Sequence, residues 1–88
     1  MKLSKEMLLT PMGEDSVLVP VGTAAEKFHG IIRLNETATF LVKLLAQDTT
    51  AEAMTKALLS EYDVDEATAS ASVTGLLDNL REIGALTE

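Results

Sequence analysis

One stretch, Phe28–Leu45, constrains the fold more than any other, because it changes from a strand pattern to a helix pattern without a loop. Up to Leu34 the residues follow a period of two, which is typical of a β-strand. Asn35 is a strong N-cap residue, and Glu36 puts a negative charge at the positive end of the helix dipole. The alternation places Phe28, Gly30, Ile32 and Leu34 on one side of the strand and Lys27, His29, Ile31 and Arg33 on the other. The rest of the chain must pack around this joint.

The residues before this stretch predict a β-hairpin. Met7–Leu9 and Ser16–Val21 are apolar runs, and Pro11–Asp15 between them contains the turn formers Pro and Gly. Pro20 cannot donate to a ladder, so we expect it at a strand end or with its nitrogen facing outward. Gly22–Glu26 is interpreted as a connection to the third strand.

The residues after Leu34 predict three helices. The first runs from about Glu36 to Ala46 and is apolar on nearly every side, as in a helix at the middle of a domain. The second follows a capping-box sequence at Thr49–Glu52 and ends near Glu61. The third, capped by Asp63 or Asp65, runs to about Ile83, before a Gly84 suited to the C′ position, with Leu86 folding back onto the core. Strands followed by helices indicate an α+β domain, and the order favours a winged helix-turn-helix of three antiparallel strands and three helices.

Composition limits the class of protein. The 88 residues contain no cysteine, which excludes disulfides and thiolate metal sites, and they contain no stretch long enough for a signal peptide or a membrane span. We expect one domain over residues 1–88, soluble and cytoplasmic. Residues 1–34 carry four bases and four acids, whereas residues 35–88 carry three bases and ten acids, which gives the net charge of −7. An acidic helical part argues against nucleic-acid binding, which requires Lys and Arg on the phosphates.

No pattern for catalysis, a metal or a cofactor stands out. His29 is the only histidine, and no phosphate-binding glycine-rich loop or nucleophile elbow is present. Asp15–Leu18 loosely resembles the Asp-Ser-Leu motif of phosphopantetheine carrier proteins, which makes a carrier with its prosthetic group on Ser16 one alternative. We therefore expect no catalytic residues, no metal ligands and no cofactor.

Two features point to peptide binding. If the predicted strand Phe28–Leu34 lies at the sheet edge, its unpaired main-chain groups form a template for an added strand, and no proline protects it. Lys27 and Arg33 flank Ile31 there and are expected to attract acidic peptide residues. On the third helix, a stripe of small and polar residues lies beside the apolar face and is either plain surface or the wall of a groove: Thr68, Ser72, Gly75 and Asn79.

Three segments resemble the PqqD family, whose relatives are the RiPP recognition elements of ribosomally made, modified peptides. They are Ile32–Ala38 (IRLNETA), Thr50–Glu52 leading to Leu58–Val64, and Leu77–Leu86, and the resemblance covers roughly Val19 to the C-terminus. It implies a winged-helix peptide chaperone. It also implies that a precursor leader adds beside the third strand and that a modifying enzyme, often a radical S-adenosylmethionine enzyme, receives it. By position, the residues implied in peptide binding are Phe28, His29, Gly30, Ile31, Ile32, Arg33 and Leu34 of the strand and Thr68, Ala69, Ser72, Val73 and Leu76 of the helix.

The main hypothesis is therefore a non-catalytic peptide-binding module, with no nucleic-acid or membrane partner. The alternatives are a winged-helix regulator that binds nucleic acid, the carrier protein and, last, an enzyme. An open sheet edge is also compatible with either a monomer or a strand-paired or swapped dimer.

Overall fold

The computed structural model describes residues 1–88, and its secondary structure begins with a β-hairpin in the predicted place. Strands β2 and β3 pair antiparallel from Met7↔Pro20 to Met12↔Asp15, so only Gly13 and Glu14 form the turn. Gly13 has φ 71°, whereas Glu14, like every residue other than glycine, has a negative φ. A positive φ at the first turn residue alone corresponds to a type II′ turn. The turn is shorter than predicted, because Pro11 and Met12 belong to the strand.

The complete chain has five strands and four helices. The order is β1 (Lys2–Leu3), β2 (Met7–Met12), β3 (Asp15–Pro20), α1 (Thr23–Lys27), β4 (Ile32–Leu34), α2 (Glu36–Leu44), α3 (Ala51–Glu61), α4 (Glu66–Glu82) and β5 (Leu86–Thr87). The central sheet has the order β2-β3-β4, and β1 pairs with β5 in a second, two-stranded sheet. The predicted α+β class with three antiparallel strands is confirmed. The short helix α1 and the two-stranded sheet were not predicted, and residues 22–26 are therefore more than a connection.

Strand β4 is shorter than predicted. We expected a strand over Phe28–Leu34, but β4 comprises only Ile32–Leu34, and Phe28, His29, Gly30 and Ile31 lie outside the sheet. The prediction for these four residues was wrong. Within β4, the pairs with β3 are Ser16↔Leu34, Val17↔Arg33 and Leu18↔Ile32.

Pro20 explains why the ladder ends where it does. In the observed register, a longer β4 would place Gly30 opposite Pro20. The amide of Val21 donates to the carbonyl of Glu6 on the hairpin side (2.8 Å), and successive residues of a strand direct their main-chain groups to opposite sides. The nitrogen of Pro20 therefore faces β4, where a donor is needed and proline has none.

The joint between β4 and α2 forms as the sequence predicted. Asn35 has extended backbone angles, and its side chain accepts a hydrogen bond from the amide of Ala38 (2.8 Å). Thr39, four residues after Asn35 in α2, hydrogen-bonds Ser16 of β3 (2.7 Å between the hydroxyl oxygens). Both side chains are buried, so the start of α2 is tied to the middle strand of the sheet.

The helices pack on one face of the sheet around a single cluster of 13 buried residues. Thr50 caps α3, and its side chain accepts from the amide of Ala53, so the expected reciprocal box with Glu52 does not form. Asp65, rather than Asp63, caps α4. Helix α2 ends at Leu44, two residues earlier than expected. Leu86 packs against the core as predicted, through β5. No helix has the length and apolar character needed to cross a membrane.

Candidate functional site

The two outer edges of the central sheet differ in the main-chain groups they offer. At the β2 edge, alternation directs the main-chain groups of Met7, Leu9 and Pro11 outward, away from β3. The amide of Met7 donates to the carbonyl of Ser4 (3.1 Å), and Pro11 has no amide. Only Leu9 retains a free donor there, so this edge is a poor template for another strand.

The β4 edge is open. Ser16 and Leu18 direct their main-chain groups toward Leu34 and Ile32, which leaves the amide and carbonyl of Arg33 facing outward. No helix or strand pairs with that side of β4. The predicted position of this strand at the sheet edge is confirmed, although the strand itself is shorter.

A cleft of about 200 Å³ opens where β4 ends and α2 begins. One wall is α4, which contributes Ser72 and Leu76. The other is the beginning of α2 and its cap, which contribute Asn35, Thr37, Ala38 and Leu41. A strand added beside β4 would direct alternate side chains toward this helical side of the sheet, since Ile32 and Leu34 face the core from it.

The predicted helix residues divide between this cleft and the core. Ser72 and Leu76 line the cleft, whereas Ala69 and Val73 are fully buried, so their side chains support α4 from within and offer no surface to a peptide. Thr68 is exposed in the first turn, where its amide donates to Asp65 (2.7 Å) and hydrogen bonding by Thr68 lowers the pKa of that carboxyl. Of the small-residue stripe, Ser72 lines the cleft, while Gly75 and Asn79 are exposed without lining it.

The predicted strand residues form an apolar and cationic border to the open edge. Ile31 is 58% exposed, and Phe28 is half-buried. Lys27 and Arg33 are exposed and form no ion pair. His29 is exposed, and its Nε2 lies 3.0 Å from the carbonyl oxygen of Glu26, at the end of α1. The side of the sheet away from the helices also carries exposed Leu8 and Met12.

The other chemical alternatives find little support in the geometry. Ser16 is 2% exposed and bonded to Thr39, so a phosphopantetheine could not be attached to its hydroxyl without opening the core. No three carboxylate or imidazole groups come together as a metal site would require. In a helix-turn-helix reading, α4 would enter the DNA groove, but its only base, Arg81, is paired with Asp78 and Glu88 (3.6 and 3.0 Å).

A larger cleft, about 460 Å³, lies between α3 and α4. Of its α4 residues, Ser70 and Thr74 are each about 160° around the helix from Ser72, and Glu66 is about 120° from it. The cleft therefore opens on the side of α4 away from β4, and its lining includes Glu52, Lys56 and Glu66. Because it is separated from the open edge, we assign the candidate site to the smaller cleft.

Sequence reasoning missed four cleft residues, Asn35, Thr37, Ala38 and Leu41. Their roles as cap and helix residues were visible, but their position beside the cleft was not. The available signal was the absence of a loop between β4 and α2, which puts the first turns of α2 directly beside the strand edge.

Comparisons with known proteins agree with this architecture. The family model described as Coenzyme PQQ synthesis protein D (PqqD) matches residues 15–86. The chain is similar in fold to TbiB1, solved in complex with the TbiA(beta) leader peptide, with a TM-score of 0.79 and 22% identity over 98% of this chain and 94% of that one. It is also similar to lasso peptide synthetase B1, solved in complex with its leader peptide, with a TM-score of 0.76 and 23% identity over 99% and 96% of the two chains. Among curated proteins, none matches the chain significantly.

Proposed function

The chain belongs to the PqqD family, as its sequence predicted, and on that premise we propose that it binds the leader of a ribosomally made precursor peptide. The leader adds as a strand beside β4, and the chain presents it to a modifying enzyme of the radical S-adenosylmethionine type. The chain itself performs no chemistry. One observation carries the proposal: β4 has an open edge beside a cleft, while the opposite edge of the same sheet is blunted.

Strand addition accounts for both parts of the site. Main-chain hydrogen bonds to the β4 edge provide affinity that is independent of the peptide's side chains, and alternate side chains entering the cleft provide selectivity. The half-buried Leu76 offers apolar contact there, and Ser72 leaves space for a side chain. The two similar structures support a leader as the ligand, since TbiB1 and lasso peptide synthetase B1 were each solved with a leader peptide.

Charge adds a preference for acidic leaders. Lys27 and Arg33 lie near the open edge without ion-pair partners, while residues 35–88 carry a net charge of −7. An acidic leader is attracted to the border of β4 and repelled by most of the helical surface, which favours encounter at the strand.

The test is a titration of the ¹⁵N-labelled chain with synthetic leader peptides, taken from the short open reading frames that neighbour the chain's gene. We expect the amide resonances of Ile32–Leu34 and of the α4 residues around Ser72 to shift. Ser72→Trp fills the cleft and should weaken binding by at least about tenfold, while Ser70→Trp, its matched control on the far side of α4, should bind like the wild type.

Three outcomes would count against the proposal. One is saturation of binding without change at β4 and α4, and a second is equal affinity of the Ser72 and Ser70 variants. The third is salt-sensitive retardation of DNA or RNA by the free chain, which would favour the winged-helix regulator instead.

A further inference from the structure

The open edge of β4 is short for a peptide template. Three residues form the strand, and alternation directs the main-chain groups of only Arg33 outward. A peptide bound there alone would form one pair of main-chain hydrogen bonds. Peptides that bind by strand addition ordinarily draw affinity from a longer ladder.

The segment preceding β4, residues 28–31, has the properties of an unused strand. Its residues continue the period of two that begins in β4, and Phe28 already has extended angles (φ −130°, ψ 113°). The amides of His29, Gly30 and Ile31 donate no hydrogen bond within the chain. In an extended segment, His29 and Ile31 would direct their main-chain groups to the same side as Arg33.

Pro20 hinders pairing of this segment on its inner side, which faces β3. It removes the donor that β3 would offer opposite Gly30, so the free chain gains little from extending β4 inward. The outer side of the segment is unaffected by Pro20. A peptide that runs along β4 can therefore supply the partner that β3 lacks.

Few contacts hold residues 28–31 in their free conformation. The amide of Phe28 donates to Ala24 (2.9 Å), and the His29 ring bonds to Glu26 (3.0 Å), both at the end of α1. Helix α1 buries none of its own residues, and the side-chain tie at its start runs from Thr23 to Glu6. The bond of His29 to α1 can break without loss of core packing.

From this geometry, and resting on the proposed function, we propose that residues 28–31 join β4 as a strand when the peptide adds. Ile31 and His29 then each exchange main-chain hydrogen bonds with the peptide, alongside Arg33. The template grows from three residues to seven, Phe28–Leu34. Binding and ordering of this segment are therefore one coupled step, and the affinity includes the cost of ordering it.

A set of three variants tests this by calorimetry with the same synthetic leader. Ile31→Pro removes an outward amide, and Gly30→Pro removes the neighbouring inward amide that faces Pro20. Ile31→Ala keeps the amide and shortens the side chain. We expect Ile31→Pro to bind roughly three- to tenfold more weakly than Ile31→Ala, as for one lost main-chain hydrogen bond, and Gly30→Pro to bind within about twofold of the wild type. Both positions are exposed and donate no main-chain bond, so the three variants should fold.

Amide hydrogen exchange supplies a second readout that separates the two proposals. With leader bound, we expect protection at His29, Ile31 and Arg33, whose amides face the peptide. Protection at Arg33 alone, or equal affinity of Ile31→Pro and Ile31→Ala, overturns the strand extension and leaves leader binding at β4 intact. Failure of the wild-type chain to bind the leader overturns the proposed function, and the extension with it.

Discussion

The buried hydrogen bond between Ser16 and Thr39 should contribute measurably to folding, because it joins β3 to α2 at the joint that carries the open edge. The hydroxyl oxygens are 2.7 Å apart, and the residues are 2% and 6% exposed. The Thr39 hydroxyl can also donate to the carbonyl of Leu34, at 3.4 Å, so Ser16 is its better partner. Neither hydroxyl has access to much water if the other is removed.

The losses of stability in the two single variants should add up to more than the loss in the double variant. Ser16→Ala leaves Thr39 with only its long bond, and Thr39→Val leaves Ser16 without a partner. Each should lower the free energy of unfolding by about 1–3 kcal/mol, the cost of an unsatisfied buried hydroxyl. In the double variant both groups are apolar, so its loss should be smaller than the sum, with a coupling of about 1–2 kcal/mol.

Urea denaturation of the four proteins closes the double-mutant cycle. A domain of this kind has a stability of about 5–15 kcal/mol, so losses of this size shift the midpoint clearly while the slope stays constant. Thr10→Val, at an exposed threonine of β2, is the control and should change stability by no more than about 0.5 kcal/mol. If the two changes add to within about 0.5 kcal/mol, the hydrogen bond does not tie β3 to α2 as argued.

Three further predictions concern the cap, pH and charge. Asn35→Ala should cost about 1 kcal/mol in urea denaturation, while Asn35→Ser, which retains a capping oxygen, should cost only a few tenths. Hydrogen bonds from Thr23 lower the pKa of Glu6 below 4.5, so this stabilisation is complete above pH 4.5 and is lost as pH falls through the lowered value. Glu6→Gln should therefore flatten the acid side of the stability profile, and the Thr23 amide shift should lose its titration near that pH. Arg33→Ala should weaken binding of an acidic leader about threefold in calorimetry at low salt and less at high salt, and an effect independent of salt would exclude the charge argument.

Local rules predicted those parts of the fold that depend on neighbouring residues. The cap at Asn35, the hairpin around Gly13 and the glycine after α4 follow from side-chain and backbone chemistry within a few residues, and each was found. The choice between Asp63 and Asp65 as the α4 cap was left open, since both are good capping residues and only the helix start distinguishes them. The pairing of Lys2–Leu3 with Leu86–Thr87 was missed, because it joins the two ends of the sequence and neither segment is long enough to give a period.

The candidate site was predictable in position but not in detail. Alternation along Phe28–Leu34 predicted a strand, and its place at the edge was a hypothesis. The end of β4 depends on which side of β3 the nitrogen of Pro20 faces, and that depends on register. On α4, Ser72 lines the cleft beside the open edge. Ala69 and Val73 were assigned to the same wall by resemblance, but both side chains are fully buried. Ser72 lies about 60° and 100° around the helix from them, whereas Leu76 lies only about 20° and 60° away, so spacing alone does not separate wall from core. Register and helix rotation are properties of the assembled domain, so a single sequence constrains them weakly.

Two prolines determine which edge of this small sheet remains available. Pro11 faces outward from β2, where it removes a donor that another strand would need, and the amide of Met7 is already bonded within the chain. Pro20 faces β4, where it offers no donor to the carbonyl of Gly30 and ends the internal ladder. The first proline blunts one edge, and the second lengthens the exposed main chain at the other. Pro20→Val restores a main-chain amide at this position and should therefore extend β4 along β3 and stabilise the free chain. Less ordering of residues 28–31 is then needed when a leader binds. Amide exchange in the free Pro20→Val chain checks this: protection should appear at Gly30, and unchanged exchange there would contradict the role given to Pro20.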